Sequence, residues 1–152
     1  MTELLLVPVD DNVIFPGMSL VVPAAEVGAE KGEQVLLVPR HDGHFAAVGT
    51  VADVTGRTRM PNGVTAVQLT GVHRGKAGTG SADGAGLRVE VTAHPDAVER
   101  DGRIRELETT YRAVVEEVLE LRGDDGRGTG LLRAIDEPGA LADTVGWAPE
   151  AT

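Results

Sequence analysis

The first two thirds of the chain carry the short apolar runs and strict alternations that are typical of β-strands. Continuous apolar runs at residues 4–9 and 34–39 predict two buried strands. Pro8 fits the first strand only at an edge or a bulge, because proline has no backbone N–H to donate. Residues 87–92 alternate between apolar and polar, which predicts a strand with one solvated face.

Glycine and proline mark the turns between these strands. Pro16-Gly17 predicts a rigid corner, since proline fixes φ and glycine permits positive φ. Asp42-Gly43 and Pro61-Asn62-Gly63 are hairpin turn sequences. A glycine-rich stretch, Gly75–Gly86, is interpreted as a mobile hairpin loop. Further strands are predicted at residues 13–15, 18–22, 45–55, 58–60 and 64–72, and residues 24–33 have room for at most one or two turns of helix.

After Pro95 the period changes to that of a helix. Apolar residues recur at three- and four-residue steps within residues 103–121, which predicts a helix with one buried stripe, formed by Ile104, Leu107, Tyr111, Val114, Val115 and Val118. Gly123 is predicted to end this helix. Shorter helical patterns follow at residues 131–135 and from Pro138. The fold class is therefore α+β: a β-rich lobe of twisted, mostly antiparallel sheet or barrel, residues 1–97, and the start of a truncated helical subdomain, residues 98–152.

Charge and composition narrow the choice of partners. The 152 residues carry a formal net charge of −10, which disfavours binding to nucleic acids and anionic lipids by like-charge repulsion. We find neither an apolar run long enough to span a bilayer nor the basic start of a signal peptide, so no membrane partner is expected and the predicted location is cytoplasmic. The lack of cysteine excludes disulfides and thiolate chemistry.

The chain also offers poor candidates for catalysis. Ser19 and Ser81 lie in no nucleophile motif. Residues 71–77 imitate a phosphate-binding loop, but their glycines are spaced one residue too closely, and alanine stands where the magnesium-binding hydroxyl belongs. His41 and His44 flank a tight turn without further ligands, so solvent-exposed turn histidines are the preferred interpretation. We therefore predict no catalytic residue, no metal site and no cofactor.

Several blocks in fixed order give the chain a family resemblance. Leu5-Leu6-Val7-Pro8-Val9 is followed by Val13-Ile14-Phe15-Pro16-Gly17-Met18, then by Val48-Gly49-Thr50-Val51-Ala52, and then by Met60-Pro61-Asn62-Gly63 leading into residues 67–74. Residues 134–143 add a helical block. Together these blocks resemble the amino-terminal domain of Lon, the ATP-dependent protease. The helix that the family usually places after Pro23 has little room here.

This resemblance implies a non-catalytic domain that recognises unfolded or damaged proteins through exposed apolar surface and assists assembly of a homohexamer. The ATPase and the serine-lysine dyad of the family belong to other domains of the full-length protease. Pro16, Met18, Met60 and Pro61, the apolar residues at two turns, are the predicted substrate-binding residues, although Phe15 and Met18 could instead plug the core. The alternative function is a stand-alone adaptor or small-ligand-binding domain of the same fold without a protease.

Overall fold

A computed structural model describes residues 2–10, 13–84, 86–97 and 101–147. By its internal contacts the chain divides into two compact units, Met1–Pro95 and Asp96–Thr152. Among the described helices, none combines the length and the apolar character needed to cross a membrane.

The first unit is built from strands. Its described residues form β1 (Thr2–Val9), β2 (Ser19–Pro23), β3 (Gln34–His41), β4 (His44–Phe45), β5 (Val48–Arg59), β6 (Thr65–Asp83) and β7 (Gly86–Ala93). A short 3-10 turn, Ala24–Glu26, follows β2. It agrees with the prediction that this stretch is too short and too rich in glycine for a longer helix.

Five of these strands close into a ring. β1 pairs antiparallel with β7 through its first half and parallel with β3 through its second half. The antiparallel ladders β7–β6, β6–β5 and β5–β3 complete the circuit. β2 lies outside the ring and pairs with the first part of β6. The predicted mostly antiparallel, barrel-like lobe is thus confirmed. Pro8 lies in the half of β1 that, among the described residues, pairs only with β3.

Two buried clusters occupy opposite faces of the central strands. One contains Leu4, Leu36, Val51 and Val89 and draws on all five strands of the ring, so it fills the barrel. The other contains Leu5, Val7, Ile14, Val27, Val35, Leu37, Val54, Val67 and Leu69, and β2 packs against it through Leu20 and Val22. β1 and β3 are therefore buried on both faces, which explains why their sequences read as continuous apolar runs rather than alternations.

The prediction of a mobile loop at Gly75–Gly86 is wrong. Residues up to Asp83 continue β6 and pair with β7 from Gly75↔Ala93 to Asp83↔Gly86. Close approach of the strands accounts for Gly75 and Gly80: a Cβ on Gly75 would lie 2.6 Å from Cγ1 of Val91, and a Cβ on Gly80 would lie 3.0 Å from Cγ1 of Val89. Residues 71–77, whose sequence imitates a phosphate-binding loop, likewise lie within β6.

The turn predictions are confirmed, whereas one short strand is not. Asp42 (φ 49°) and Gly43 (φ 76°) both adopt left-handed conformations between β3 and β4, as a two-residue hairpin turn requires. Gly63 has φ 83° in the β5–β6 turn. Residues 13–15, predicted as a strand, make no ladder, because their backbone is held by a side chain and by the corner that follows.

The second unit is helical, with α1 (Gly102–Leu121), α2 (Arg127–Arg133) and α3 (Pro138–Asp143). The Asp101 carboxylate accepts a hydrogen bond from the Ile104 N–H and begins α1. Gly123 ends it as predicted, with φ 76° and paired hydrogen bonds from Gly123 N to Glu120 O and from Asp124 N to Leu119 O.

The predicted buried stripe of α1 is wrong. No residue of α1 is buried, and three of the six predicted stripe residues are exposed, Leu107, Val114 and Val118. Leu121, at the end of the helix, is exposed as well. The helices α2 and α3 are only seven and six residues long, so they cover one side of α1. That side is held by polar contacts, including hydrogen bonds from Arg112 to the carbonyls of Leu132 and Ile135.

Candidate functional site

The first of the two predicted corners is a tight turn tied to β6. The Met18 N–H donates to the Phe15 carbonyl (3.0 Å), and Gly17 has φ 86°, as in a type II β-turn with proline second and glycine third. Gly71 of β6 locks this turn, since it accepts from Gly17 N (2.9 Å) and donates to Met18 O (2.8 Å). Pro16 and Met18 are half-buried, and Met18 packs against the second core cluster.

Two further contacts hold the segment before this corner. The hydroxyl of Thr50, which is buried, donates to the Ile14 carbonyl at 2.7 Å. The Arg74 guanidinium lies over the Phe15 ring, 5.7 Å from its centroid. The corner is thus held in place by β5 and β6, and its exposed atoms are presented in one conformation.

The second corner is the β5–β6 turn, residues 60–64. Met60 N donates to Val64 O (2.7 Å), Gly63 N donates to Met60 O (2.9 Å), and the Asn62 side chain accepts from Val64 N (3.1 Å). Met60 and Val64 are 44% and 47% exposed, and Pro61 is exposed as well. This turn therefore holds three apolar side chains in water.

The four predicted site residues do not form one patch, because the corners lie at opposite ends of the first part of β6. Met18 is beside Gly71 and Met60 is beside Val64, which at the rise of a strand is a separation of roughly 20–25 Å. β2 spans this distance, pairing from Ser19↔Thr70 to Pro23↔Ala66.

Sequence reasoning missed the contribution of β2 itself. Its residues Ser19–Pro23 carry no charge, and Val21 is 61% exposed. We use the name apolar ledge for the two separate corners together with the exposed Val21 of β2 between them, that is, for Pro16, Met18, Val21, Met60, Pro61 and Val64. The sequence signal was weak, because residues 13–25 carry no charge but other segments, such as residues 60–72, are uncharged as well.

A cleft of about 400 Å³ runs beside β2. It is lined by residues 7–10 at the end of β1, residues 20–23 of β2, and Leu37 and Arg40 of β3. A smaller cleft, about 110 Å³, lies next to Phe15. All residues that line the larger cleft, except Asp10 and Arg40, have apolar side chains, and its volume falls within the range of pockets that bind ligands.

The charged groups that line the larger cleft neutralise each other. Arg40 donates from Nε to Oδ1 of Asp10 (2.7 Å) and from Nη2 to Oδ2 (2.6 Å) in a bidentate pair. Hydrogen bonding by Arg40 lowers the pKa of the Asp10 carboxyl, and the same contact raises the pKa of Arg40. Because both side chains are well exposed, the pair contributes little to stability.

We expect an NMR titration to place the pKa of Asp10 below its ordinary value, and Arg40→Met to return it toward that value. A carboxyl whose pKa is lowered by folding adds stability above its unfolded pKa, and this stability is lost as the pH falls through the folded pKa. The contribution of Asp10 is therefore present at neutral pH and lost only in the acidic range. An Asp10 pKa that Arg40→Met leaves unchanged would show that the pair does not form in solution.

Comparison with known proteins decides the family. Residues 3–148 match the family described as the ATP-dependent protease La (LON) substrate-binding domain. The chain belongs to this Lon family. It is 32% identical to the Lon protease of Chloroflexus aurantiacus and 33% identical to that of Salinispora arenicola, in each case over 97% of this chain and 20% of the relative.

Solved structures agree with the fold. The N-terminal domain of a Mycobacterium avium complex Lon protease superposes with a TM-score of 0.84 at 27% identity, covering 99% of this chain and 85% of that one. A Lon N-terminal domain protein from Xanthomonas campestris has a TM-score of 0.59 at 21% identity, over 98% of this chain and 100% of that chain, and supports the fold alone.

The predicted Lon resemblance is therefore confirmed, as is the prediction that this chain is a binding domain and not a peptidase. This Lon substrate-binding domain spans about one fifth of the length of the curated Lon proteases that it matches.

Proposed function

We propose that this Lon substrate-binding domain captures unfolded or damaged polypeptides through the apolar ledge, within its β-rich lobe, residues 1–97. Non-native chains expose apolar side chains that folded proteins bury, so a surface that holds apolar groups in water distinguishes the two. The full-length protein would be a cytoplasmic, homohexameric ATP-dependent serine protease of protein quality control. Its ATPase and serine-lysine dyad would lie outside this chain.

The observation that carries the proposal is the pair of rigid corners, joined by an uncharged strand. Met60 supports recognition of many sequences, because the flexible and polarisable thioether adapts to differently shaped partners. Pro16 and Pro61 add apolar surface on turns that are already ordered, so little conformational entropy is lost on binding. Met18 contributes mainly by holding the first corner against the core.

We expect Met60→Ser to weaken binding of reduced and alkylated α-lactalbumin, which cannot fold, by about threefold to tenfold, since an exposed apolar anchor is worth about 1 kcal/mol. Fluorescence anisotropy with the labelled protein measures the affinity. No loss of stability is expected, because Met60 is 44% exposed.

Leu121→Ser is the matched control, since Leu121 of α1 is 81% exposed and lies in the other unit. Its affinity should equal that of the unchanged chain. Suppression of aggregation of the same protein, without ATP, should follow the anisotropy result. Equal affinities for the Met60→Ser and Leu121→Ser variants would remove Met60 from the site, and failure of the unchanged chain to bind would refute the proposed function.

A further inference from the structure

The outer edge of β2 has the geometry of an unfilled position in a sheet. β2 forms a ladder with β6 on one side, and no ladder to its other side is found among the residues that the structure describes. That other side faces the cleft, which the end of β1 lines opposite. Within the part of the chain that the structure describes, the end of β1 pairs only with β3.

The register shows which backbone groups of β2 face this edge. Gly71 N donates to Met18 O, so the pair Met18·Gly71 is of the hydrogen-bonded type. Antiparallel ladders alternate such pairs with non-bonded ones. Leu20 and Val22 therefore bond to β6, whereas the N–H and C=O of Val21 point outward to the cleft.

Natural edge strands are usually protected against pairing with other chains, by charged side chains, by proline or by a covering segment. β2 has the sequence Ser-Leu-Val-Val-Pro, in which only the final proline gives such protection. Charge is not scarce elsewhere, since 25% of the chain is charged. β2 therefore lacks the charged side chains that usually block pairing at an exposed edge.

We propose that β2 binds an extended, uncharged apolar segment of a non-native polypeptide as an additional strand. This inference rests on the proposed function and states how the substrate is held. Hydrogen bonds to the backbone of Val21 would not depend on sequence, which suits a domain that accepts many substrates. Alternate side chains of the segment would enter the cleft.

The charge of the cleft favours an uncharged polypeptide segment as the ligand of β2. The cleft offers no net charge, because its two charged residues, Asp10 and Arg40, are paired at 2.6 Å. An uncharged segment can therefore enter without an unpaired buried charge. The net charge of −10 on the chain disfavours acidic segments and favours basic residues flanking the apolar core of the bound segment.

The test separates backbone pairing from apolar contact. A short labelled peptide of alternating Val and Thr, with a Lys at each end, is compared with two forms N-methylated at alternate residues. N-methylation removes donors from one edge of an extended peptide at a time. We expect one methylated form to bind at least about tenfold more weakly than the parent peptide and the other to bind within about threefold of it.

Two variants of the 152-residue chain complete the experiment. Val21→Lys places a charge at the edge and should weaken the parent peptide about tenfold, whereas Val145→Lys, at a residue of similar exposure in the helical unit, should not. Val21→Pro removes the outward N–H without touching the β6 ladder and should act like Val21→Lys. If Val21→Pro does not fold, as judged by its melting temperature, the Val21→Lys result and the methylated peptides decide.

Each outcome has a distinct meaning. If the chain binds alkylated α-lactalbumin and the peptide, but neither N-methylation nor Val21→Lys weakens binding of the peptide, strand addition is overturned and the proposed function stands. Failure of both probes to bind the unchanged chain overturns the proposed function. A dimer in sedimentation that Val21→Lys dissociates, with peptide affinity unchanged, assigns the edge to a second copy and overturns the proposal.

Discussion

Replacing Gly71 by alanine is expected to destabilise the β-rich unit by about 1–3 kcal/mol, the usual cost of overpacking, and to weaken capture of non-native protein. A Cβ at this position would lie 2.6 Å from the Phe15 carbonyl oxygen and 3.2 Å from Cγ2 of Thr50. The Phe15 carbonyl oxygen belongs to the backbone, so it cannot move aside by a rotamer change. Relief requires the corner at residues 15–18 to shift away from β6, which breaks its hydrogen bonds with Gly71.

Gly78→Ala on the same strand is the matched control. Its Cβ would meet its nearest neighbour, the Glu90 carbonyl oxygen, at 3.4 Å, an ordinary contact. Alanine also costs less conformational entropy than glycine in a strand, so stability should be unchanged or slightly raised. Urea unfolding measures the change in stability, and fluorescence anisotropy with alkylated α-lactalbumin measures the change in affinity for non-native protein. Equal stability of the Gly71→Ala and Gly78→Ala variants would mean that the corner is not held against β6 in solution.

The sequence predicted most reliably those features that local chemistry decides. The turns at Gly17, Asp42-Gly43, Gly63 and Gly123 have the positive φ angles that their residues favour. The continuous apolar runs of β1 and β3 predict buried strands, because a half-exposed element would alternate apolar with polar residues. The runs are continuous because each of these strands is buried on both faces, by one core cluster on either side.

The loop predicted at Gly75–Gly86 was wrong because close packing, and not flexibility, requires glycine at some of these positions. The stretch Gly75–Gly86 has the composition of a loop, yet most of it is strand, since side chains of β7 occupy the space that a Cβ on Gly75 or Gly80 would need. Composition alone cannot separate these two uses of glycine. The distinction depends on which strand lies alongside, and that is fixed by the whole sheet.

The candidate site was predictable in its parts but not in its arrangement. Residues around Pro16 and Met60 were identified from turn chemistry. The link between them, β2, depends on a pairing that joins Ser19 to Thr70, residues 51 positions apart in the chain. Such long-range pairing leaves no periodic pattern in a single sequence, so the ledge and the cleft emerge only from the fold.

Leu69→Ala should destabilise the β-rich unit by about 2–5 kcal/mol, the largest single effect that we expect. Leu69 is fully buried and belongs to the core cluster on which β2 packs. Alanine would leave a cavity that the surrounding strands, held by ladders on both sides, can fill only in part. Hydrogen exchange followed by mass spectrometry should show faster exchange in peptides from β5 and β6.

Leu107→Ala makes the same chemical change at a position that periodicity alone marks as equally apolar. Leu107 is 60% exposed on α1, so its truncation removes little buried surface and should cost less than about 0.5 kcal/mol. Exchange in α1 should be almost unaltered. If Leu107→Ala lowered the free energy of unfolding about as much as Leu69→Ala, the exposed face of α1 would have to be covered in solution. An apolar side chain adds this much stability only when it is buried.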